Sequence, residues 1–492
     1  MPRFLYIDID TLRPDHMGCY GYKRNTTPNL DKVASEGIIF ENYFCSDAPC
    51  LPSRSALVSG RFGIHTGIVG HGGTAADRRL QGPGRSFTDT DERNNLFYLF
   101  RKAGMYTASI STFPERHSAW WFNAGFNEMH NIGEGGMESG ENVLPVALEW
   151  LSRNKNNEDW FLYLHLWDPH TPYRAPQEFG DPFENEPLSN NWITQEIFNE
   201  HRKKPGPHSA RDISGLHDIT DPKYPRHPGS LKDLNDVKHF IDGYDCGIRY
   251  ADELLGQVLD LLKKQGIYDD TAIIISSDHG ENMGELGIYG EHGTADQITC
   301  RIPMIFKWPG GMSGRDTGLR YNLDLVPTIA ELLRLDASEK WDGKSYAEVI
   351  TGEEYGSGNQ IGAGWESLVL SQQSHVCQRS ARFGDWLYIR TINDGFHLFD
   401  NEMLFNIKND PYEQRDIKNE YPEICAQGAK IILDWLDEMM KTADTDVDPM
   451  WTVYHEGGPF HAPDNLTEHY ISRLKESERP EAAQKLSERS KK

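Results

Sequence analysis

The 492-residue chain has no apolar run that approaches the roughly 18 residues of a membrane-spanning helix. It also lacks basic clusters, and its formal net charge of −25 argues against a nucleic-acid binder and mildly against a highly sulfated polymer as substrate. Cysteine is scarce: seven scattered residues, an odd number, predict no disulfide framework and favour a reducing compartment. Because the N-terminus shows no secretory apolar segment, we expect a cytoplasmic protein with no membrane or nucleic-acid partner.

The sequence does contain an alternation of short apolar runs and helical patterns over its first two-thirds. This alternation predicts an α/β fold with a large, mostly parallel sheet flanked by helices. The predicted strands are Phe4–Asp10, Ile38–Phe44, Tyr106–Ser111, Trp160–Leu166, Thr271–Ser276 and Pro303–Trp308. The predicted helices are Pro28–Glu36, Leu96–Lys102, Val143–Ser152, Leu234–Lys264 and Asp324–Leu333.

Composition divides the chain into three parts. Residues 1–360 form the predicted α/β catalytic domain, within which residues 178–235 lose apolar periodicity and are predicted to be a lid or insertion. Residues 361–441 predict a smaller C-terminal subdomain with a short antiparallel sheet and a helix. Residues 442–492 form a tail whose aromatic residues indicate packing on the core or on a neighbouring subunit, which leaves a homo-oligomer open.

Several chemically active side chains follow directly after predicted strands. Asp10 ends the first strand, Cys50 and His170 follow later strands, and Asp278 and His279 come after the strongest strand. In parallel α/β sheets, ligands bind beyond the carboxyl ends of the strands. The placement therefore predicts that these residues belong to one site.

Cys50 stands at the start of a predicted short helix. Pro52 suits a first helical position, Ser53 to Ser59 can continue the helix, and Gly60 can end it. The free N–H groups of a helix N-terminus, together with the cation of Arg54, suit an anion. Cys50 is thus either a nucleophile facing an oxyanion or a buried structural cysteine.

The carboxylates at the strand ends favour a hard divalent cation. Asp10 and Asp278 are the candidate ligands, together with His279; the alternative is that each aspartate only caps a loop. Asp8 lies two residues before Asp10 on the same strand face, and we predict that it supports the site from behind, with direct ligation as the minor alternative.

The run Cys50-x-Pro-Ser-Arg54, followed by Leu57-x-x-Gly60, resembles the signature of type I, formylglycine-dependent sulfatases of the alkaline phosphatase-like superfamily. The resemblance extends from about residue 4 to about residue 417. It implies that a formylglycine-generating enzyme or an anaerobic sulfatase-maturing enzyme oxidises Cys50 to formylglycine, whose hydrate attacks sulfur. It also implies a single divalent cation, calcium first and magnesium or manganese as alternatives. The ligands that the resemblance implies are Asp10, Cys50, Asp278 and His279.

The resemblance also assigns histidines and shows departures from the family pattern. It implies that His170 contacts the sulfate and that His292, where many members have lysine, holds the sulfate or protonates the leaving oxygen. A Gly-Lys-x-His element is absent, and Arg116 and His117 are the candidate replacements for contacting the substrate. We predict that His165, inside a strand, is a packed core residue.

These features predict a sulfate ester hydrolase, with Arg54 and the cation holding the sulfate of a small sulfated sugar or oligosaccharide. The alternative on the same scaffold is a phosphonate monoester or phosphodiester hydrolase. It is favoured by Thr11 and His279, which stand where many sulfatases have a second aspartate and an asparagine. A third hypothesis is an anion-binding protein whose Cys50 is never oxidised.

Overall fold

A computed structural model describes residues 2–77, 95–189, 192–352, 360–361 and 364–489. The strands within this part of the chain are β1 Arg3–Ile9, β2 Ile38–Phe44, β3 Asp47–Ala48, β4 Tyr106–Ile110, β5 Glu128–His130, β6 Trp160–Leu166, β7 Thr271–Ser276, β8 Asn282–Met283, β9 Tyr289–Glu291, β10 Met304–Lys307, β11 Gly314–Tyr321, β12 Gln360–Ile361, β13 Ser367–Gln372, β14 Cys377–Phe383, β15 Trp386–Asn393 and β16 Glu402–Asn406.

The α-helices of the described residues are α1 Pro28–Ser35, α2 Cys50–Ser59, α3 Gly63–Thr66, α4 Leu96–Lys102, α5 Phe113–Arg116, α6 Gly140–Arg153, α7 Gln195–His201, α8 Leu234–Gln265, α9 Gln297–Cys300, α10 Leu325–Leu332, α11 Ala347–Thr351, α12 Pro422–Thr442, α13 Pro449–His455, α14 Thr467–Glu476 and α15 Pro480–Arg489. None of these helices combines the length and the apolar character needed to cross a membrane.

The main sheet has nine strands in the order β12-β11-β2-β10-β7-β1-β6-β4-β5. Its pairs are parallel except those of β10, which runs antiparallel to both β2 and β7. The predicted α/β class with a mostly parallel sheet is therefore confirmed. The central strands β1, β6 and β7 are near-continuous apolar runs because both faces of the sheet are covered.

The alternation of side chains along β1 divides the core into two layers. Phe4 and Tyr6 pack in the layer that includes α2, whereas Leu5 and Ile7 pack in the layer that includes the long helix α8. Asp8 has the same parity as Phe4 and Tyr6, so it faces the α2 layer. This register carries the acidic end of β1 toward the segment that begins at Cys50.

The smaller sheet joins the C-terminal subdomain to the main domain. Its order is β16-β15-β14-β13-β3, and β3 belongs to the main domain, just before α2. The helix α12 packs against β13, β14 and β15. A strand of the C-terminal subdomain therefore fixes the backbone that leads into Cys50.

Residues 178–235, the predicted lid or insertion and called the lid segment for short, contact the tail around Asp212. Its buried carboxylate accepts hydrogen bonds from Tyr470 Oη at 3.0 Å, Arg473 Nε at 2.9 Å and Arg479 Nη2 at 2.5 Å. Tyr470 also packs against Phe396 of the C-terminal subdomain. Much of the predicted lid is irregular, with the helix α7 inside it, and the tail lies on this segment and on the subdomain.

Candidate active site

The nucleophile candidate Cys50 is the first residue of α2 and is 2% exposed. This corrects the prediction that Pro52 opens the helix, which begins two residues earlier. Proline is tolerated in this third position because the N–H groups of the first helical turn have no intrahelical acceptor. The sulfur therefore lies at the positive end of the helix dipole.

Arg54, one turn further along α2, binds three buried carboxylates. Its Nε lies 2.9 Å from Asp8 Oδ2, its Nη2 3.0 Å from Asp10 Oδ2 and its Nη1 2.5 Å from Asp278 Oδ2. Burial alone lowers the pKa of Arg54, but Asp278 and the other carboxylates raise it well above its usual value. Three carboxylates around one guanidinium leave an excess of negative charge in a dry site, which a divalent cation would balance.

The residues predicted to hold that cation do converge. Ligand atoms of Asp10, Cys50, Asp278 and His279 all lie within 4.8 Å of one another. Asp10 Oδ1 is buried without a hydrogen-bond partner, as expected for an oxygen reserved for an ion. Carboxylate oxygens with one imidazole nitrogen suit a divalent cation, so the donor set fits a metal ion of this class.

His279 connects the acidic cluster to Cys50. Its Nε2 lies 3.0 Å from Cys50 Sγ and 3.1 Å from Asp278 Oδ2, while its Nδ1 lies 2.9 Å from the carbonyl oxygen of Gly280. With the Nδ1 proton donated to that carbonyl, the ring directs Nε2 toward Cys50 and Asp278. The second ring nitrogen is thus oriented by the backbone.

The electrostatics at Cys50 favour an anion. Burial raises the pKa of a thiol, yet the charge of His279 and hydrogen bonds from His117, His170 and His279 bring the pKa of Cys50 well below its usual value. The same donors would stabilise the oxygens of a bound oxyanion.

His292 stands as a second cation beside His279. The two rings are 3.9 Å apart, and the ring of His170 is 5.4 Å from that of His292. His292 Nε2 lies 2.8 Å from Glu291 Oε1. Burial lowers the pKa of His292, but Glu291 and further acceptors raise it well above its usual value, which favours the protonated ring.

The two candidate replacements for the missing Gly-Lys-x-His element, Arg116 and His117, lie in different surroundings. His117 shares a cluster with Cys50 and His71, whose ligand atoms lie within 4.8 Å of one another. Arg116 is exposed, and its guanidinium lies over the ring of Trp167, 5.0 Å from its centroid. Of the pair, His117 is the one near Cys50.

Two residues behind the site have more specific environments than predicted. His165 is buried in β6, but it is more than packing, because its Nε2 lies 2.8 Å from Arg54 Nη2 and 3.4 Å from Asp10 Oδ2. Asp8 accepts from Arg54 and from Tyr163 Oη, outside the group of converging ligand atoms. Both residues hold Arg54 in place.

The sequence reasoning missed several histidines that cluster beside Cys50. His71 follows α3, His375 lies between β13 and β14, and His461 comes from the tail. His461 Nε2 lies 3.1 Å from His71 Nδ1, and its ring stacks on His375 at 4.0 Å. The only signal in the sequence was the frequency of histidine in loops, and it gave no indication of which loops would meet.

Comparison with known proteins gives one family. The sulfatase family model matches residues 2–335. An N-acetylglucosamine-6-O-sulfatase of Bacteroides thetaiotaomicron is 23% identical over 93% of this chain and 89% of its own length.

Solved structures share the fold at lower identity. The structure of BT4656 in complex with its substrate D-glucosamine-2-N,6-O-disulfate superposes with a TM-score of 0.68 at 19% identity, covering 90% of this chain and 99% of the other. The phosphonate monoester hydrolase of Agrobacterium radiobacter gives a TM-score of 0.67 at 17% identity, covering 89% and 96%.

Proposed function

Because the chain belongs to the sulfatase family, we propose that it hydrolyses a sulfate ester on a small sugar or oligosaccharide. The observation that carries this proposal is the environment of Cys50, which begins α2 beside a buried carboxylate cluster and several imidazoles. The sugar class is supported by the relative that acts on N-acetylglucosamine-6-sulfate and by the fold neighbour that binds a disulfated glucosamine.

The family implies a metal ion and a formylglycine, and the donor set fits both. We assign the cation to Asp10, Asp278, His279 and the residue at position 50, with calcium as the first candidate because oxygen donors predominate. A cation held there would withdraw charge from the sulfate oxygens, and a hydrated aldehyde at position 50 would supply an oxygen nucleophile.

The remaining chemistry falls to side chains of this chain. Hydrolysis converts the ester and one water into an alcohol, sulfate and a proton. The imidazolium of His292 is placed to protonate the leaving alcohol oxygen, and Glu291 holds that proton on the ring until it is needed. His117 and His170, both hydrogen-bonded to position 50, are placed to orient the sulfate oxygens. The burial of the cluster excludes bulk water from the reacting atoms.

A two-part experiment tests the proposal. Mass spectrometry of the peptide containing Cys50, from protein made in its native host, should show the loss of sulfur and two hydrogen atoms and the gain of one oxygen, the change from a thiol to an aldehyde. Sulfate release from 6-O- and N-sulfated glucosamine should then depend on Cys50, so Cys50→Ala should lower kcat by at least roughly 1000-fold. An unmodified thiol in fully active protein, or activity retained by Cys50→Ala, would contradict the mechanism.

The second candidate is hydrolysis of a phosphonate monoester or phosphodiester. It is favoured by Thr11, which stands where many sulfatases have a second aspartate, and by the fold shared with the phosphonate monoester hydrolase. A parallel assay of sulfated glucosamine, an aryl sulfate, a phenyl phosphonate ester and a phosphodiester separates the two. The larger kcat/KM identifies the class of substrate.

A further inference from the structure

A second group of metal-ligand side chains lies beside the site described above. Ligand atoms of His208, Glu291 and His375 all lie within 4.8 Å of one another, and none of these residues belongs to the acidic cluster around Arg54. The lid segment supplies the first, the strand β9 the second and the C-terminal subdomain the third. Three parts of the chain that are distant in sequence therefore meet at one carboxylate.

The backbone presents His208 to this carboxylate. The residue adopts a left-handed conformation with φ of 59°, which is uncommon for a side chain other than glycine. Its N–H donates to the carbonyls of Asp212 and Gly215, and its own carbonyl accepts from Tyr289. The lid is thus tied to β9, and His208 Nε2 lies 3.1 Å from Glu291 Oε2. A strained residue held by its surroundings in this way is typical of a functional position.

His375 approaches the same carboxylate from the opposite domain. Its Nε2 lies 3.4 Å from Glu291 Oε1, yet this nitrogen makes no hydrogen bond, and the side chain is only 2% exposed. The ring is fixed by stacking on His461. The backbone N–H of His375 donates to Gln372 Oε1, and Gln372 Nε2 donates to the carbonyl of His292. A buried, aimed and unpartnered imidazole nitrogen calls for a ligand.

We propose that His208, Glu291 and His375 bind a divalent transition-metal ion, with zinc the ion that suits this donor set best. Two imidazoles and one carboxylate form a familiar zinc ligand set with an open fourth position. His208 Nε2 lies 3.1 Å from Glu291 Oε2 and His375 Nε2 lies 3.4 Å from Glu291 Oε1, so the two imidazoles flank the two oxygens of one carboxylate. Ligand atoms about 2.05 Å from a tetrahedral zinc lie about 3.3 Å apart, so small side-chain adjustments would bring these atoms around one ion. The carboxylate makes the group a poor site for an anion, which separates it from a sulfate-binding pocket.

This site adjoins the first one without sharing a ligand. Glu291 directs Oε2 toward His208, while Oε1 accepts from His292, so the same carboxylate contacts the candidate metal and the candidate acid. The ion would also hold the lid against the C-terminal subdomain. The proposal does not depend on which ester the enzyme cleaves, and its test measures bound metal.

The test counts zinc in a protein in which each candidate group around Cys50 has lost at least one ligand. Among the described residues, Cys50 belongs to three of the four candidate groups, so the background is Asp10→Asn with Cys50→Ser. After chelation and addition of Zn²⁺, elemental analysis should find one zinc per chain in this background. Adding His375→Ala or His208→Ala should weaken binding by at least roughly 100-fold, whereas the matched control His397→Asn should keep the ion. His397 is also buried and packs under the lid at Gly206.

Thermal unfolding provides a second measurement, because an ion that binds only the folded state raises Tm. Zn²⁺ should raise the Tm of the background protein and of His397→Asn, but not that of His375→Ala. Cobalt substitution should give the visible absorption of a four-coordinate nitrogen and oxygen site, again lost in His375→Ala. No zinc in the background protein, or zinc that persists in both histidine variants, would overturn the proposal.

Discussion

The contact between the tail and the lid depends on one buried charge, and its removal has a calculable cost. Replacing Asp212 by alanine leaves Arg479, whose side chain is 1% exposed, without its carboxylate partner. Breaking a buried ion pair from one side costs about 3–5 kcal/mol. The loss of stability should be confined to the tail and the lid segment, because Asp212 joins that segment to α14 and to the residues before α15.

Hydrogen exchange measures this local loss. If the tail opens as one unit, amides of α14 and α15 should exchange roughly 100- to 4,000-fold faster in Asp212→Ala, while those of β1 and β7 stay protected. The matched control is Glu478→Gln, since Glu478 is 87% exposed and lies 3.9 Å from Arg211; it should change exchange less than about threefold.

A double variant distinguishes the cost of leaving a buried charge unpaired from the cost of losing packing contacts. Asp212→Ala combined with Arg479→Met leaves no buried lone charge, so much of the protection should return. Exchange in α14 and α15 that rises less than tenfold in Asp212→Ala would refute the assignment of this ion pair as the link between tail and lid. Equal exchange rates in the single and double variants would refute the explanation that the unpaired Arg479 destabilises the tail.

Three further predictions concern the site and its surroundings. His292→Gln should lower kcat by roughly 100- to 10,000-fold on a sugar sulfate but much less on an aryl sulfate, whose leaving group needs no proton. His461→Ala should raise KM about fivefold with normal stability, because its ring supports His71 and His375 at the pocket. Burial raises the pKa of Asp168 to about 6, so the folded state holds this proton more tightly than the unfolded chain. The stabilisation of the folded state by this protonated carboxyl is fully present below about pH 4 and is lost as pH rises through 6, about 3 kcal/mol in all. Asp168→Asn should remove this pH dependence of the free energy of unfolding in urea titrations, and an unchanged pH dependence would contradict the assignment.

Much of the fold was predictable because its strongest signals are local. The apolar runs at Trp160–Leu166 and Thr271–Ser276 have the predicted bounds, since a strand buried on both faces needs no partner to be recognised. The strand Gly314–Tyr321 was missed because glycine and charged residues interrupt its apolar pattern, and only pairing with β2 defines it.

The site was also predictable only in part. Asp10, Cys50 and Asp278 were predicted to meet because the carboxyl ends of parallel strands share one edge of a sheet. His375 and His461 were not, since their positions depend on how the C-terminal subdomain and the tail pack against the main domain. The side-chain hydrogen bonds of His165 were also out of reach, because a strand pattern indicates burial without naming partners.

The position of β2 in the sheet determines how long the segment around Cys50 waits for its partner strands during synthesis. This strand leads toward Cys50, yet its neighbours are β10 and β11, and β3 beside it pairs with β13. All three partners are synthesised much later, and β11 ends about 270 residues after Cys50. At about 5–20 residues per second, a ribosome needs roughly 15–55 s to cover that distance. Until β11 has been synthesised the segment around Cys50 lacks part of its sheet, so a side chain that the finished protein encloses would be accessible at that stage to an enzyme that modifies it.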